Sequence, residues 1–282
     1  MARSRNLNKF CVITFQGLEQ FCVAELRQKG IEVLKVSKGA VFIGSEPPRL
    51  ASAVHVLRLV DKLEGVKSKH FMVKIKPYDS ELETKWIEEF KAQGAILDYK
   101  TPEFVLRVFP DLGVKGLDSS KEMLSKRDYR VFTTRNSLNA VSAYALGCCT
   151  FEKPKAGFIV TSDGAAAIEA ALAGFAQVPV FGMDAIVLSG AKKNAIVAEA
   201  ELQFHKSWEG EFDSIGIALN FKRSAGRTPE SILKQIIKVF NPKRLCVLTL
   251  PQFSGLNLQD YKASVTPFWQ GKLGLCLIAF SR

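Results

Sequence analysis

Histidine, methionine and tryptophan are scarce in this chain of 282 residues, with 3, 4 and 3 copies. Three scattered histidines, and six cysteines without a C-x-x-C pair, exclude the common zinc-ligand spacings, so no metal is expected. The cysteines (Cys11, Cys22, Cys148, Cys149, Cys246, Cys276) lie mostly inside apolar runs. That placement predicts reduced, buried thiols in a cytoplasmic protein rather than a disulfide framework. Long hydrophobic runs are also missing: the longest, Ala165 to Ala176, is broken by Glu169 and falls short of the ~18 apolar residues a membrane span needs. Arg3, Arg5 and Lys9 precede an apolar run, Phe10 to Phe15, that is too short for a signal-peptide core. Neither membrane insertion nor secretion is expected. Negative charge is the scarcer sign, 28 acidic against 39 basic residues, for a net +11. Such an excess points to a polyanionic partner. Divided near residue 140, the halves carry +7 and +4, so the excess leans towards the N-terminal half.

What is present is globular: 47% apolar and 24% charged residues over a length that suits about two domains. Residues 10–15 read as a strand, and Leu18, Phe21, Cys22 and Leu26 recur at helical spacing up to Gly30. Runs at 31–36 and 40–43 read as a hairpin, and Leu50, Val54 and Leu57 after Pro47-Pro48 predict a second helix. The order βαββα is that of a ferredoxin-like unit over 1–66. A second unit, 67–112, opens with a strand at 71–76. The capping-box pattern Ser80-Glu-Leu-Glu83 then starts a helix whose stripe is Leu82, Trp86, Ile87 and Phe90. Strands follow at 95–99 and 104–109. A polar stretch, 113–136, reads as a basic linker, densest at Lys126-Arg127-Asp128-Tyr129-Arg130.

From 137 to 282 the texture is longer apolar runs with fewer charges. Helices at 138–149, 165–176 and 187–198 alternate with strands at 157–161, 178–182, 201–205 and 213–219. Thr228-Pro229 opens a last helix with Ile232, Leu233, Ile236, Ile237 and Phe240 on its buried face, and strands at 244–250 and 273–280 finish the chain. Alternation of this kind predicts an open, mostly parallel α/β sheet, whose ligand site begins at the turn after the first strand.

That turn and its helix read Phe158-Ile-Val-Thr-Ser-Asp-Gly-Ala-Ala-Ala-Ile-Glu-Ala-Ala171. Together with Leu97-Asp-Tyr-Lys-Thr-Pro-Glu103, Lys126-Arg-Asp-Tyr-Arg130 and Ser137-Leu-Asn-Ala140, it resembles the THUMP-domain RNA methyltransferases, the archaeal tRNA guanosine methyltransferases and related bacterial ribosomal RNA enzymes. The resemblance covers nearly the whole chain and matches the order of units. It implies a ferredoxin-like plus THUMP module (α+β) followed by a Rossmann-like, class I methyltransferase sheet (α/β). The cofactor it implies, for an active enzyme, is S-adenosylmethionine.

In the family the turn is an Asp-Pro-x-Cys-Gly-Ser-Gly-Thr type sequence, whose glycines admit the cofactor's methionine part to the helix N-terminus. Aligned on Ile168-Glu169, this chain has Phe158 at the leading acid, Ser162 at the first glycine and Gly164 at the second. Asp163 stands in the turn itself, where its charge would oppose the cofactor's carboxylate. Gly182-Met-Asp184 matches the family's Gly-x-Asp, which makes Asp184 the candidate ribose ligand and, equally, an ordinary helix cap. The family's Asn-Pro-Pro-Tyr loop, which orients the guanine amine, has lost both prolines here; Asn220 and Phe221 are its only candidate remnants.

The expectation is therefore an RNA-binding protein, for tRNA above all, with a methyltransferase domain kept without its chemistry, in the service of an active methyltransferase partner. The rival is a functioning tRNA or rRNA guanosine methyltransferase acting on the exocyclic amine. Candidate RNA contacts are Lys100, Lys115, Lys126, Arg127, Arg130 and Arg135, with Lys222, Arg223 and Arg227 as a second cluster near the family's active-site loop.

Overall fold

A computed structural model describes residues 9–60, 67–118, 123–152, 155–175, 177–205, 207–219 and 228–282. The chain divides into two compact units, Met1–Leu124 and Ser125–Arg282.

In the first unit, β1 (Phe10–Ile13), β2 (Val33–Ser37), β3 (Ala40–Ile43), β4 (His55–Leu59), β5 (His70–Ile75), β6 (Ile96–Leu97), β7 (Phe104–Phe109) and β8 (Val114–Asp118) form one sheet. Its order is β2-β3-β1-β4-β8-β7-β5-β6. Helix α1 (Glu19–Gln28) buries Cys22 and Leu26 against Val12, Val41 and Ile43. Helix α2 (Ser80–Ala92) lays its predicted stripe, Leu82, Trp86, Ile87 and Phe90, against Phe71, Val73, Leu106 and Val108.

Three expectations change here. The helix predicted after Pro47-Pro48 is the strand β4: His55 and Leu57 are buried while Val56 and Arg58 are more exposed, and β1 offers it a ladder with Cys11 opposite Leu57. The cap of α2 is Asp79, which accepts from the Leu82 N–H at 2.9 Å, so Ser80 is the first helical residue rather than the cap. The stretch read as a linker contributes β8, which pairs with both β4 and β7. Gly116 in β8 has no space for a side chain, since an added Cβ would lie 2.8 Å from the Arg58 carbonyl oxygen. The two segments read as separate modules thus share a sheet, joined where Arg58 faces Leu117 and Leu59 faces Gly116.

The second unit runs α3 (Ala140–Thr150), β9 (Ala156–Val160), α4 (Ala165–Leu172), β10 (Val178–Gly182), α5 (Ala185–Val197), β11 (Leu202–His205), β12 (Ser214–Leu219), α6 (Pro229–Phe240), β13 (Arg244–Thr249), β14 (Lys262–Gln270) and β15 (Leu273–Ser281). The sheet order is β11-β10-β9-β12-β13-β15-β14. The first four ladders are parallel and the last two antiparallel, a Rossmann-like doubly wound sheet as predicted. Strand order reverses beside β9, so the switch point where such sheets bind ligands lies at the carboxyl end of β9.

Helix α6 forms as its sequence predicts. Thr228 accepts from the Ser231 N–H at 3.2 Å, Pro229 is the first helical residue, and Ile232, Leu233, Ile236 and Phe240 pack on Ile215, Ile217, Leu245 and Val247. Each such side chain contributes about 1.5–3 kcal/mol on burial. β14 was not predicted, because it is mostly exposed and contains Pro267; its ladder to β15, not an apolar pattern, holds it.

Candidate functional site

The turn at the switch point is Thr161-Ser-Asp-Gly164, between the end of β9 and the start of α4. Gly164 has φ +79°, and an added Cβ would stand 2.7 Å from the Ala191 Cβ of α5. Backbone conformation and close packing both require glycine at this position. Ser162 is buried, and its hydroxyl donates to Asp163 Oδ1 at 3.3 Å.

Asp163 has no exposed surface. Its Oδ1 accepts the Ala165 N–H at 3.3 Å, in the first turn of α4. Its Oδ2 accepts Arg130 Nε at 3.2 Å and Nη2 at 2.9 Å. Its carbonyl accepts Asn194 Nδ2 at 3.0 Å, and the same Asn194 exchanges two hydrogen bonds of 2.8 Å with the Phe132 backbone. A helix N-terminus attracts an anion. Here the chain supplies that anion itself, together with its own counter-cation.

The neighbouring Arg127 is also internal. Nε donates to Glu169 Oε1 at 2.8 Å and Nη2 to Oε2 at 3.1 Å, while the Tyr129 hydroxyl donates to Oε1 at 2.9 Å. Burial first, and then the Glu169 carboxylate, push the Tyr129 phenol well above its ordinary pKa. Tyr129 packs on Ile168 and Ala195, so the Lys126–Arg130 segment is fastened to α4 and α5.

This arrangement corrects two candidate RNA contacts. The sequence offers Arg127 and Arg130 as RNA contacts, yet their guanidiniums are engaged by buried carboxylates at positions 169 and 163. Divided at the boundary between the units instead of near residue 140, the charge falls differently. The first unit holds 20 basic and 16 acidic residues and the second 19 and 12, so the larger excess belongs to the second. Of the other candidates, Lys100, Lys126 and Arg135 are exposed, and the Lys115 ammonium lies 4.7 Å from the Trp86 ring centre. Asn220, Phe221, Lys222, Arg223 and Arg227 lie outside the described residues.

Asp184 follows β10 and is exposed. Its Oδ1 accepts the Ile186 and Val187 N–H groups at 2.8 and 3.1 Å, so it serves as the N-cap of α5. Trp208 donates from Nε1 to the Gly182 carbonyl at 3.1 Å, which places an indole against the end of β10. Between Leu138, Leu146, the 158–167 segment and Ala218 remains a space of about 20 Å³. That holds about one water. Among the described residues the turn does not fit S-adenosylmethionine: Asp163 occupies the helix N-terminus that the cofactor's carboxylate would need.

The pairings were not predicted from sequence, although a signal for one existed. Glu169 sits in an otherwise apolar helix, AAAIEAAL, and a buried carboxylate demands a cation. The Arg-x-Tyr-Arg run upstream supplies it.

Comparison with solved structures gives the class of fold. TrmN from Thermus thermophilus superposes with a TM-score of 0.71 at 20% identity, over 97% of this chain and 99% of that one. A possible methylase from Clostridium difficile 630 gives 0.66 at 15% identity, over 97% and 98%. A proposed methyltransferase complexed with SAH gives 0.64 at 16% identity, over 96% and 97%. The chain therefore has a methyltransferase-like fold along nearly its whole length. No family model and no curated protein matches it. No helix among the described residues is long and apolar enough to cross a membrane, and no three His, Cys, Asp or Glu side chains there gather into a metal-binding group.

Proposed function

We propose that this chain is a cytoplasmic RNA-binding protein, with tRNA as its partner, whose methyltransferase-like unit transfers no methyl group. The observation that carries the reading is the Arg130–Asp163 pair at the N-terminus of α4: a buried carboxylate with its own cation stands in the cofactor turn. The net charge of +11, the resemblance to THUMP-domain RNA methyltransferases and the likeness of fold to TrmN support RNA as the polyanion. In this reading the ferredoxin-like and THUMP segments grip backbone and shape, since an A-form major groove is too narrow for side-chain readout. The protein would then present RNA to an active methyltransferase. A second reading, an active S-adenosylmethionine-dependent guanosine methyltransferase, is favoured by one feature, the exposed Asp184 carboxylate at the end of β10.

Titration of tRNA at several salt concentrations, followed by fluorescence anisotropy, tests RNA binding. Affinity should fall steeply with salt, and Lys100→Glu and Arg135→Glu should each weaken it and lower the salt slope by about 1. Binding indifferent to salt and to both substitutions would contradict the assignment. Methyl transfer to tRNA from labelled S-adenosylmethionine by the purified chain alone would favour the second reading.

A further inference from the structure

A cluster away from the cofactor turn, and independent of how that turn is read, joins two cysteines to one arginine. Cys149 lies near the end of α3, and Arg244 and Cys246 lie at the start of β13, opposite the strand ends that build the turn. Arg244 Nε donates to Cys246 Sγ at 3.4 Å and Nη2 donates to Cys149 Sγ at 3.4 Å. Cys246 Sγ donates to the Cys149 carbonyl at 3.3 Å. The two thiols also hydrogen-bond each other, which makes the sulfurs held by this one planar guanidinium neighbours. Nη1 of the same arginine donates to Glu152. The sulfurs are buried, but the Arg244 side chain is 17% exposed and Glu152 56%, which opens the cluster to solvent at that end.

The chemistry favours a redox pair over a metal site. A guanidinium between two sulfurs repels a metal cation and stabilises a thiolate, the nucleophilic form. The thiols differ in kind: the Cys246 hydrogen bond, and then Arg244, bring Cys149 down to about 7 against burial, while Cys246 is raised. Cys11 and Cys22, buried without an arginine partner among the described residues, are pushed up to about 12 by burial and form an internal control.

We propose that Cys149 and Cys246 are a peroxide-reactive dithiol whose disulfide ties the end of α3 to β13. The Cys149 thiolate attacks one oxygen of hydrogen peroxide; the O–O bond breaks, giving Cys149 sulfenic acid and hydroxide, which takes a proton to become water. Cys246 sulfur then attacks Cys149 sulfur, the S–O bond breaks, and the departing hydroxide leaves as water with the Cys246 proton. Two thiols and one peroxide give one disulfide and two waters.

The test exposes the reduced full chain to hydrogen peroxide, blocks remaining thiols with N-ethylmaleimide, and maps peptides without reduction. The expected product is a Cys149–Cys246 linked peptide, reversed by dithiothreitol, with Cys11 and Cys22 alkylated. Arg244→Gln should slow its formation about tenfold, as loss of the cation reduces the thiolate. If that variant does not fold, Glu152→Gln, which removes a competing negative charge, should speed it. Cys149 recovered as sulfinic acid beside alkylated Cys246, a link through Cys148 instead, or Cys11 and Cys22 oxidised before Cys149 would overturn the proposal.

Discussion

Glu169 is the residue on which the 127–130 segment depends. It is buried in α4 and takes three donors from Arg127 and Tyr129. Removing one partner of a buried pair leaves the other charge uncompensated, so Glu169→Gln should cost the second unit about 3–5 kcal/mol in urea unfolding. The double change Arg127→Met with Glu169→Leu should cost less than the two single changes summed. Near-additivity would show that the pair is not coupled. A second residue sets a pH response. His55 Nδ1 stands 3.0 Å from Asp118 Oδ2, which also accepts Arg107 Nε at 2.5 Å. Burial first, and the Arg107 cation, hold the imidazole below its ordinary 6.5 against the pull of Asp118. The unfolded chain then binds this proton more readily, so the contribution is complete above about pH 6.5 and is lost as pH falls towards the lower folded value. Urea midpoints of the first unit should drop between about pH 7 and 5, and His55→Gln should flatten that slope; an equal slope in the variant would remove His55 as the cause. Sequence shows that Glu169, in an apolar helix, needs a cation but does not name the partner, because Arg127 and Glu169 are 42 residues apart and His55 and Asp118 63 apart. A run of Lys and Arg looks the same whether its charges face solvent or a buried carboxylate.

Elements were readable where a local signal decided them. α6 carries a cap, a proline at its first position and an apolar stripe, and it forms as expected. β4 was misread because Leu50, Val54 and Leu57 fit a helical spacing, while the choice belonged to β1, which needed an edge partner. β8 was hidden in a polar stretch because its slot between β4 and β7 is a property of the sheet. At the turn, sequence shows Ser162 in place of one glycine and Asp163 beside it, but not that Arg130 pairs with Asp163. Gly164→Ala combines a positive φ with a 2.7 Å approach to Ala191, and should destabilise the second unit by about 2–4 kcal/mol. Adding Ala191→Gly should recover only part of that, since the φ strain stays. Full recovery would assign the whole effect to contact, and a neutral Gly164→Ala would contradict the geometry.

For the molecule as a whole, the methyltransferase-like order of seven strands is kept, while the turn that gives such a sheet its cofactor is occupied by the chain's own ions. The apolar face of α6 and the Arg127–Glu169 and Arg130–Asp163 pairs hold the unit together from within. A fold tolerates changes at a site because packing is spread over a whole sheet whereas a binding site depends on a few positions. The central claim is that the cofactor turn is closed, and calorimetric titration of the folded full chain with S-adenosylmethionine tests it most directly. The account predicts no saturable heat up to about 1 mM, the weak end of specific small-ligand binding. Saturable binding at about micromolar concentration, abolished by Asp184→Ala, would contradict it.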